Sequence, residues 1–259
     1  MNSSDFRTEA RKRLTGKWGK AVLITLCYVA LTIIFNIIES RLSESIRPIF
    51  SLIVLIITVP LGFGLVASFI KLYNDEETTA FDFLSIGFNN FGKAWGIFLH
   101  TFVKLLLPFI LMIVSLFIIL GGAIGGMIGA SALTQITNPE EIIGTVSASM
   151  GGIVLVGLIL YFVSITLFIC KSFYYSLANL VAIENENLTS KECVEKSKEL
   201  MTGNRAKLFW LQLSFIGCAI LSIITLGIGY LWLTPYMQMA TIAFYKHLEG
   251  DNGQINVTE

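Results

Sequence analysis

The chain has 259 residues, of which 54% are hydrophobic and 14% charged, and it has no net charge; its mean hydropathy is +0.74. Soluble domains carry about 25% charged residues, so this composition excludes an ordinary soluble domain and indicates a chain that buries apolar surface in lipid. The lack of net charge also excludes a whole-molecule field that would attract nucleic acid.

The first 20 residues are basic and amphipathic. Phe6, Ala10 and Leu14 fall on one face of a predicted helix with Ser4 as its N-cap, and arginines and lysines occupy much of the rest. Such a helix is typical of a segment that lies on an anionic membrane surface, although a solvated charged tail would have a similar composition. The apolar run that follows is long for a signal peptide, so we predict a retained anchor helix.

Six apolar stretches are predicted to cross a membrane, because each approaches the roughly 20 residues that a helical span needs. Pro60 predicts a kink in the second stretch, since proline removes a backbone donor. Polar, amphipathic segments at 73–96 and 184–207 are predicted to be interfacial helices, the latter capped by Thr189 or Ser190. The six stretches are 21–38, 49–72, 97–120, 152–171 (continuing as helix to 183), and the two halves of 208–247 on either side of a glycine turn at 226–229.

The distribution of basic residues predicts the orientation of these spans. Almost all of the 18 lysines and arginines lie in the segments on one side, whereas the loops on the other side hold only Arg41 and Arg47. The positive-inside rule therefore places both termini in the cytoplasm. The predicted fold is all-α, with six transmembrane helices arranged as three hairpins and joined by interfacial amphipathic helices.

Three lead-in sequences resemble one another: LTGKWGKA, FNNFGKAW and MTGNRAKL. Each presents a lysine just before an apolar stretch, and these lysines, Lys20, Lys93 and Lys207, are expected at the inner headgroups. The pattern predicts repeat units of surface helix plus hairpin within a single membrane domain, although any helix that starts at the inner face could look similar. The units are 1–73, 74–186 and 187–248, followed by a polar tail at 249–259.

The sequence contains no catalytic motif, no metal-ligand spacing and no nucleotide-binding loop. We therefore predict no enzyme activity, no cofactor and no catalytic, cofactor-binding or metal-binding residue. His100 and Lys104 form the candidate polar site near the membrane, because they are four residues apart on one helix face and ionisable residues in spans are often functional. A lysine this close to a span end can also simply extend to the headgroups.

A glycine-rich segment follows the third span. Gly121, Gly125 and Gly129 have the small-xxx-small spacing that allows two helices to approach closely in a membrane. We predict that they pack against another helix. The alternative is an exposed loop at the outer face.

Both ends of the chain resemble a known family. The N-terminal R-x-x-A-R-x-x-L-x-G-x-W-G-x-A, from Arg7 to Ala21, and the C-terminal stretch beginning MTGNRAKLFWLQLSFIG are similar to an uncharacterised bacterial family of integral membrane proteins. Cys218 stands where that family is expected to have an aromatic residue. The resemblance implies a multi-pass protein of the bacterial cytoplasmic membrane, and it supplies no activity and no site residues.

Two functional hypotheses follow. The first is a non-enzymatic binding or scaffold protein of the cell envelope, favoured by the surface helices and the lack of catalytic groups; its partner would be another membrane protein or a second copy of the chain. The second is a permease or a lipid or small-molecule transport protein, favoured by the repeat and the Pro60 kink. Under either hypothesis the chain contacts a bilayer with anionic inner-leaflet headgroups, and no nucleic acid is expected.

Overall fold

The computed structural model describes residues 2–133 and 139–255. It describes the surroundings of their side chains except at 126–150 and 251–255. Within these residues the chain forms helices and turns without any strand, which confirms the predicted all-α class. The helices are α1 (Ser3–Leu14), α2 (Trp18–Arg41), α3 (Arg47–Tyr73), α4 (Asp82–Asn89), α5 (Phe91–Leu133), α6 (Pro139–Tyr175), α7 (Ala178–Glu184), α8 (Ser190–Met201), α9 (Arg205–Leu213), α10 (Ile216–Ile224) and α11 (Tyr230–Ile255).

Five stretches of the described chain are long and apolar enough to cross a membrane, and they match the first five predicted spans. The sixth predicted span corresponds to α11, which is not among them because polar residues such as Gln238 and Lys246 interrupt its apolar run. The sixth span therefore stays a prediction. The five stretches are Trp18–Arg41, Arg47–Tyr73, Phe91–Gly125, Gly151–Glu184 and Arg205–Ile224.

The turn between α10 and α11 lies where the sequence predicts a glycine break. Leu226 and Gly227 there have φ angles of 54° and 89°, values that residues other than glycine rarely adopt. The helix α3, by contrast, continues through Pro60 without ending. The N-cap of α8 is Thr189, as predicted.

Contacts divide the chain into two units, one formed by residues 1–100 and 173–259 and the other by residues 101–172. The first unit contains most of the buried core. In it α1 packs on α11 and α9, α3 packs on α4, and α7 packs on α8. These units are defined by contacts, whereas the predicted repeats are a pattern along the sequence, and the boundaries of the two differ.

The apolar face of α1 is covered by protein. Phe6, Ala10 and Leu14 are at most 1% exposed, and the Phe6 ring meets the Phe244 ring of α11 edge to face, with centroids 5.3 Å apart. The helix was expected to place this face against lipid, so the structure corrects that expectation. An amphipathic stripe needs burial, and α11 provides it within the same chain.

The helix α4 belongs to the segment 73–96 that is predicted to be interfacial, and its phenylalanines do not share one environment. Phe83 is buried, whereas Phe88, and Phe81 just before the helix, are 49% and 63% exposed. Gly87 is buried as well. It lies so close to α3 that a Cβ on it would be 2.4 Å from the Pro60 carbonyl oxygen. Close approach of α3 and α4 therefore decides the orientation of α4.

In the second unit, the close approach between α5 and α6 involves a glycine next to the predicted one. A Cβ on Gly122 would lie 2.9 Å from Cγ2 of Val154, whereas no described atom lies within 4 Å of a Cβ on Gly121. Gly125 is half-buried in α5, and the surroundings of Gly129 lie outside the described side chains. The segment itself is helical, because α5 extends to Leu133.

Two of the three lead-ins contain the same turn. The turns joining α1 to α2 and α8 to α9 have Gly16 and Gly203 at φ angles of 78° and 82°. The preceding threonines, Thr15 and Thr202, each donate their hydroxyl to the carbonyl four residues earlier, at 3.0 and 2.8 Å. In the remaining lead-in only one residue, Asn90, separates α4 from α5.

A matching order of buried positions, which sequence periodicity did not predict, occurs near the end of α3, over α7 with the residue before it, and within α11. In residues 64–71 and 239–246 the third and eighth positions are half-buried and the others buried. Residues 177–184 follow the same order except at Ile183, which is half-buried. The eighth positions are Lys71, Glu184 and Lys246.

Candidate binding pocket

A pocket of about 590 Å³ lies in the first unit, between the end of α3, the α4–α5 junction and the end of α7. Its wall is apolar on one part of its surface and charged on another. The apolar lining residues are Phe63, Ala67, Ile70, Ile86, Ala182 and Ile183. The charged lining residues are Lys71, Glu76, Lys93, Glu184 and Glu186.

The polarity of the pocket changes along α3. The helix contributes Phe63 and Ala67 first, then Lys71, and Asn74 follows directly after its end. At 1.5 Å per residue, Phe63 and Asn74 are separated by about 16 Å along the helix axis. The pocket therefore extends from an apolar region of the bundle to its polar end.

Glu184, the last residue of α7, has one oxygen that is paired and one that is not. Its Oε2 accepts a hydrogen bond from Lys246 Nζ at 2.6 Å, and its side chain is only 18% exposed. Its Oε1 is buried and has no hydrogen-bond partner among the described residues. A buried acceptor without a partner costs about 1–3 kcal/mol, and more when it is charged, so this oxygen is a position where a bound donor would be stabilising.

Lys71 also lines the pocket and, like Glu184 and Lys93, is half-buried. Its ammonium forms no hydrogen bond or ion pair with any residue that the structure describes. Its charge helps to keep the pKa of Asp82 below the usual value, although the hydrogen bond from the Thr79 hydroxyl is the larger cause. Lys71 is therefore a cation that can bind an acceptor from outside the protein.

Lys93 is held by the end of α7. Its Nζ donates to the carbonyl oxygens of Asn185 and Glu186 at 3.1 and 3.0 Å, where a helix C-terminus favours a positive charge. Of the three lysines predicted at inner headgroups, only Lys93 lines the pocket; Lys20 and Lys207 are exposed. The common depth of the three lysines stays a prediction.

Lys17 makes a similar contact that the sequence analysis missed. Its Nζ donates to the Leu72 carbonyl at 2.7 Å, at the end of α3, and it forms an ion pair with Asp75. The hydrogen bond and the charge of Lys17 lower the pKa of Asp75. The sequence does show Asp75 as the first acidic residue after the second span, but no periodicity links Asp75 to Lys17.

Neither His100 nor Lys104 lines the pocket. Both side chains are exposed, and His100 Nδ1 lies 2.7 Å from the Gly96 carbonyl oxygen of the preceding turn. Lys104 belongs to the second unit. Among the described residues no group of three or more His, Cys, Asp or Glu side chains is placed to hold a metal ion.

Long apolar helices, together with a charged and buried helix end, indicate a multi-helix membrane protein. The chain belongs to the family described as Protein of unknown function (DUF975), which matches residues 1–252. This confirms the resemblance to an uncharacterised family. No curated protein and no solved structure matches the chain.

Proposed function

We propose that this protein is a six-span protein of the bacterial cytoplasmic membrane that acts by binding, without catalysing a reaction, through the pocket at the inner end of its helices. The observation that carries this proposal is a pocket wall that contains both Glu184, whose buried Oε1 has no hydrogen-bond partner among the described residues, and Lys71, whose ammonium has none there either. A membrane-embedded charge without a function is rare, because its desolvation is costly. An incoming ligand or partner that pairs with both groups would remove that cost.

The proposed orientation rests on the position of charge. Arg13 and Lys17 donate hydrogen bonds to the carbonyls of Tyr73 and Leu72 at the end of α3. The helix α8 packs on α7, and Lys246 of α11 pairs with the pocket residue Glu184. These basic segments therefore lie at the end of the first unit that contains the pocket. The positive-inside rule makes this the cytoplasmic end. In this arrangement α11 is the sixth span, and both termini are cytoplasmic.

The three-unit repeat is supported by burial. Directly after each lead-in lysine there is a buried residue, and another buried residue follows three positions later. The pairs are Ala21 and Ile24, Ala94 and Ile97, and Leu208 and Leu211. Together with the matching segments of α3, α7 and α11, this agreement supports a repeat that extends beyond the lead-ins.

Transport of a lipid or small molecule is the second candidate, and the apolar part of the pocket around Phe63 favours it. A transport site must be reachable from both sides of the membrane in turn. A binding site needs only one entrance. Accessibility of the pocket therefore separates the two functions.

We suggest labelling a cysteine at Ala67 with a membrane-impermeant thiol reagent, in a chain whose four natural cysteines are replaced. Glu77→Cys and Glu44→Cys are the matched controls for the cytoplasmic and external sides, because both residues are exposed between helices. Binding predicts that position 67 reacts only from the side of position 77. Reaction from both sides would favour transport, and labelling of positions 44 and 77 from the same side would contradict the six-span orientation.

Binding itself is tested by placing a photo-crosslinking residue at Asn74, on the pocket wall, in living cells. We expect a discrete adduct that disappears in Lys71→Gln and persists in the control Lys104→Gln. If the folded protein forms no adduct at position 74, the pocket is not a binding site and the proposed function is wrong.

A further inference from the structure

We propose that the pocket binds the headgroup of a zwitterionic lipid, one that carries a primary ammonium and a phosphate. This inference rests on the proposed binding function and names the class of ligand. The ammonium would donate to Glu184 Oε1 and the phosphate would accept from Lys71; both groups belong to half-buried residues of the wall and lack partners among the described residues.

The charges of the wall favour a ligand with both signs. The lining contains three carboxylates and two lysines, and Lys93 is already bound to two carbonyl oxygens. A simple anion would therefore meet one available lysine and a surplus of negative charge. A simple cation would pair with Glu184 and leave Lys71 unmatched. A zwitterion satisfies both without adding net charge to a partly desolvated site.

In the matching segments of α3, α7 and α11, the eighth positions are Lys71, Glu184 and Lys246. Glu184 pairs with Lys246 through a single oxygen, at 2.6 Å. The second oxygen of Glu184 and the ammonium of Lys71 remain without a partner among the described residues.

The apolar part of the wall favours a lipid over a soluble zwitterion. Phe63, Ala67 and Ile70 lie on the α3 side of the pocket, before Lys71 along the helix. A headgroup at Lys71 would place the glycerol and the first part of an acyl chain beside these residues. A soluble ligand would make no contact with that part of the wall.

The experiment compares lipids that differ only in the headgroup. The full-length protein is placed in nanodiscs of phosphatidylcholine with a small fraction of phosphatidylethanolamine or phosphatidylglycerol, and retained lipids are counted by native mass spectrometry after release. Phosphatidylethanolamine is expected to be retained at least about tenfold over phosphatidylcholine, whose quaternary ammonium has no N–H to donate to Glu184.

Variants assign the retention to the pocket. Lys71→Gln is expected to reduce it about tenfold while leaving the Glu184–Lys246 ion pair intact. Lys104→Gln is the control for loss of a lysine elsewhere, and thermal unfolding identifies any variant that fails to fold. Competition by free phosphoethanolamine at equal potency would identify a soluble zwitterion as the source of the same chemistry.

Two outcomes would overturn the inference. Equal retention of phosphatidylglycerol and phosphatidylethanolamine would show that the ammonium is not recognised, and unchanged retention in Lys71→Gln would show that the lipid binds elsewhere. Neither result removes an adduct at position 74, so the proposed binding function is judged separately by that crosslink.

Discussion

Both halves of α3 are apolar, but they lie in different surroundings. Ile49 and Leu52, near its start, are 61% and 60% exposed, whereas Leu61 and Phe69, near its end, are fully buried. The first half therefore presents its side chains outward, as a lipid-facing helix does, and the second half is part of a protein core. Apolar character by itself does not distinguish these two roles, because hydrocarbon and protein interior are both dry.

The buried half of α3 is held by close backbone approach. A Cβ on Gly64 would lie 2.0 Å from the Phe83 carbonyl oxygen of α4, and neither backbone can move without displacing its helix. In a membrane, packing of this kind replaces the hydrophobic driving force between helices. The exposed half has no described counterpart to this contact, so the two halves are expected to respond differently to substitution.

The largest effect is expected from Gly64→Ala. The added methyl group would separate α3 from α4 and destabilise the protein by about 3 kcal/mol or more, at the upper end for overpacking. Gly62→Ala is the matched control in the same helix, because no described atom lies within 4 Å of a Cβ there. Thermal unfolding in detergent measures both, and equal stability of the two variants would contradict the close approach.

A smaller effect is expected from truncating one leucine in each half. Leu61→Ala leaves a cavity in the core and is expected to cost about 2–5 kcal/mol. Leu52→Ala removes atoms that already face outward, so its cost is expected to be under about 1 kcal/mol. If both substitutions destabilise equally, the first half is also buried, for example by a second copy of the chain.

In the second unit, two adjacent glycines allow the same comparison between a packed position and an open one. Gly122→Val would press on Val154 and Ile153, whose side-chain ends can shift, so a cost of about 1 kcal/mol is expected. Gly121→Val carries the same change in helix propensity but enters open space. The difference between their unfolding temperatures measures the helix contact alone, and no difference would exclude it.

The smallest effect concerns the exposed ion pair at the end of α3. Because Lys17 lowers the pKa of Asp75, the folded-state pKa lies below the unfolded value of about 4. Its contribution is present above that unfolded pKa and is lost as the pH falls through the lower, folded pKa. Unfolding temperatures from pH 6 to 3 are expected to fall slightly more for the wild type than for Asp75→Asn; parallel curves would mean that the pair contributes nothing.

Sequence periodicity predicted some contacts of this fold and missed others. It placed Phe6, Ala10 and Leu14 on one face of α1, and that face is buried. It predicted packing at Gly121, Gly125 and Gly129, whereas the close contact that the structure describes is at Gly122, because a spacing of four occurs in both registers of the GGAIGGMIG run. Spacing restricts a contact to a helix face, and the geometry of the neighbouring helix selects the residue.

The candidate site was the least predictable part. His100 and Lys104 were chosen because they are ionisable residues near a span, but the structure leaves both exposed. Lys71 and Glu184 come from helices that are far apart in sequence, and each looks like an ordinary charge at the end of an apolar run. Their relation appears only when the ends of α3 and α7 are packed in the same unit.

The sequence by itself determined the all-α class, five apolar helices long enough to cross a membrane, and the glycine break before α11, because these depend on local composition and backbone preference. Only the tertiary structure decided that α11 covers the apolar face of α1, which half of α3 is core, and that one oxygen of Glu184 has no partner among the described residues. The physical reason is that an apolar or charged side chain specifies the kind of surroundings it needs. Which helix supplies those surroundings depends on contacts between segments distant in the chain.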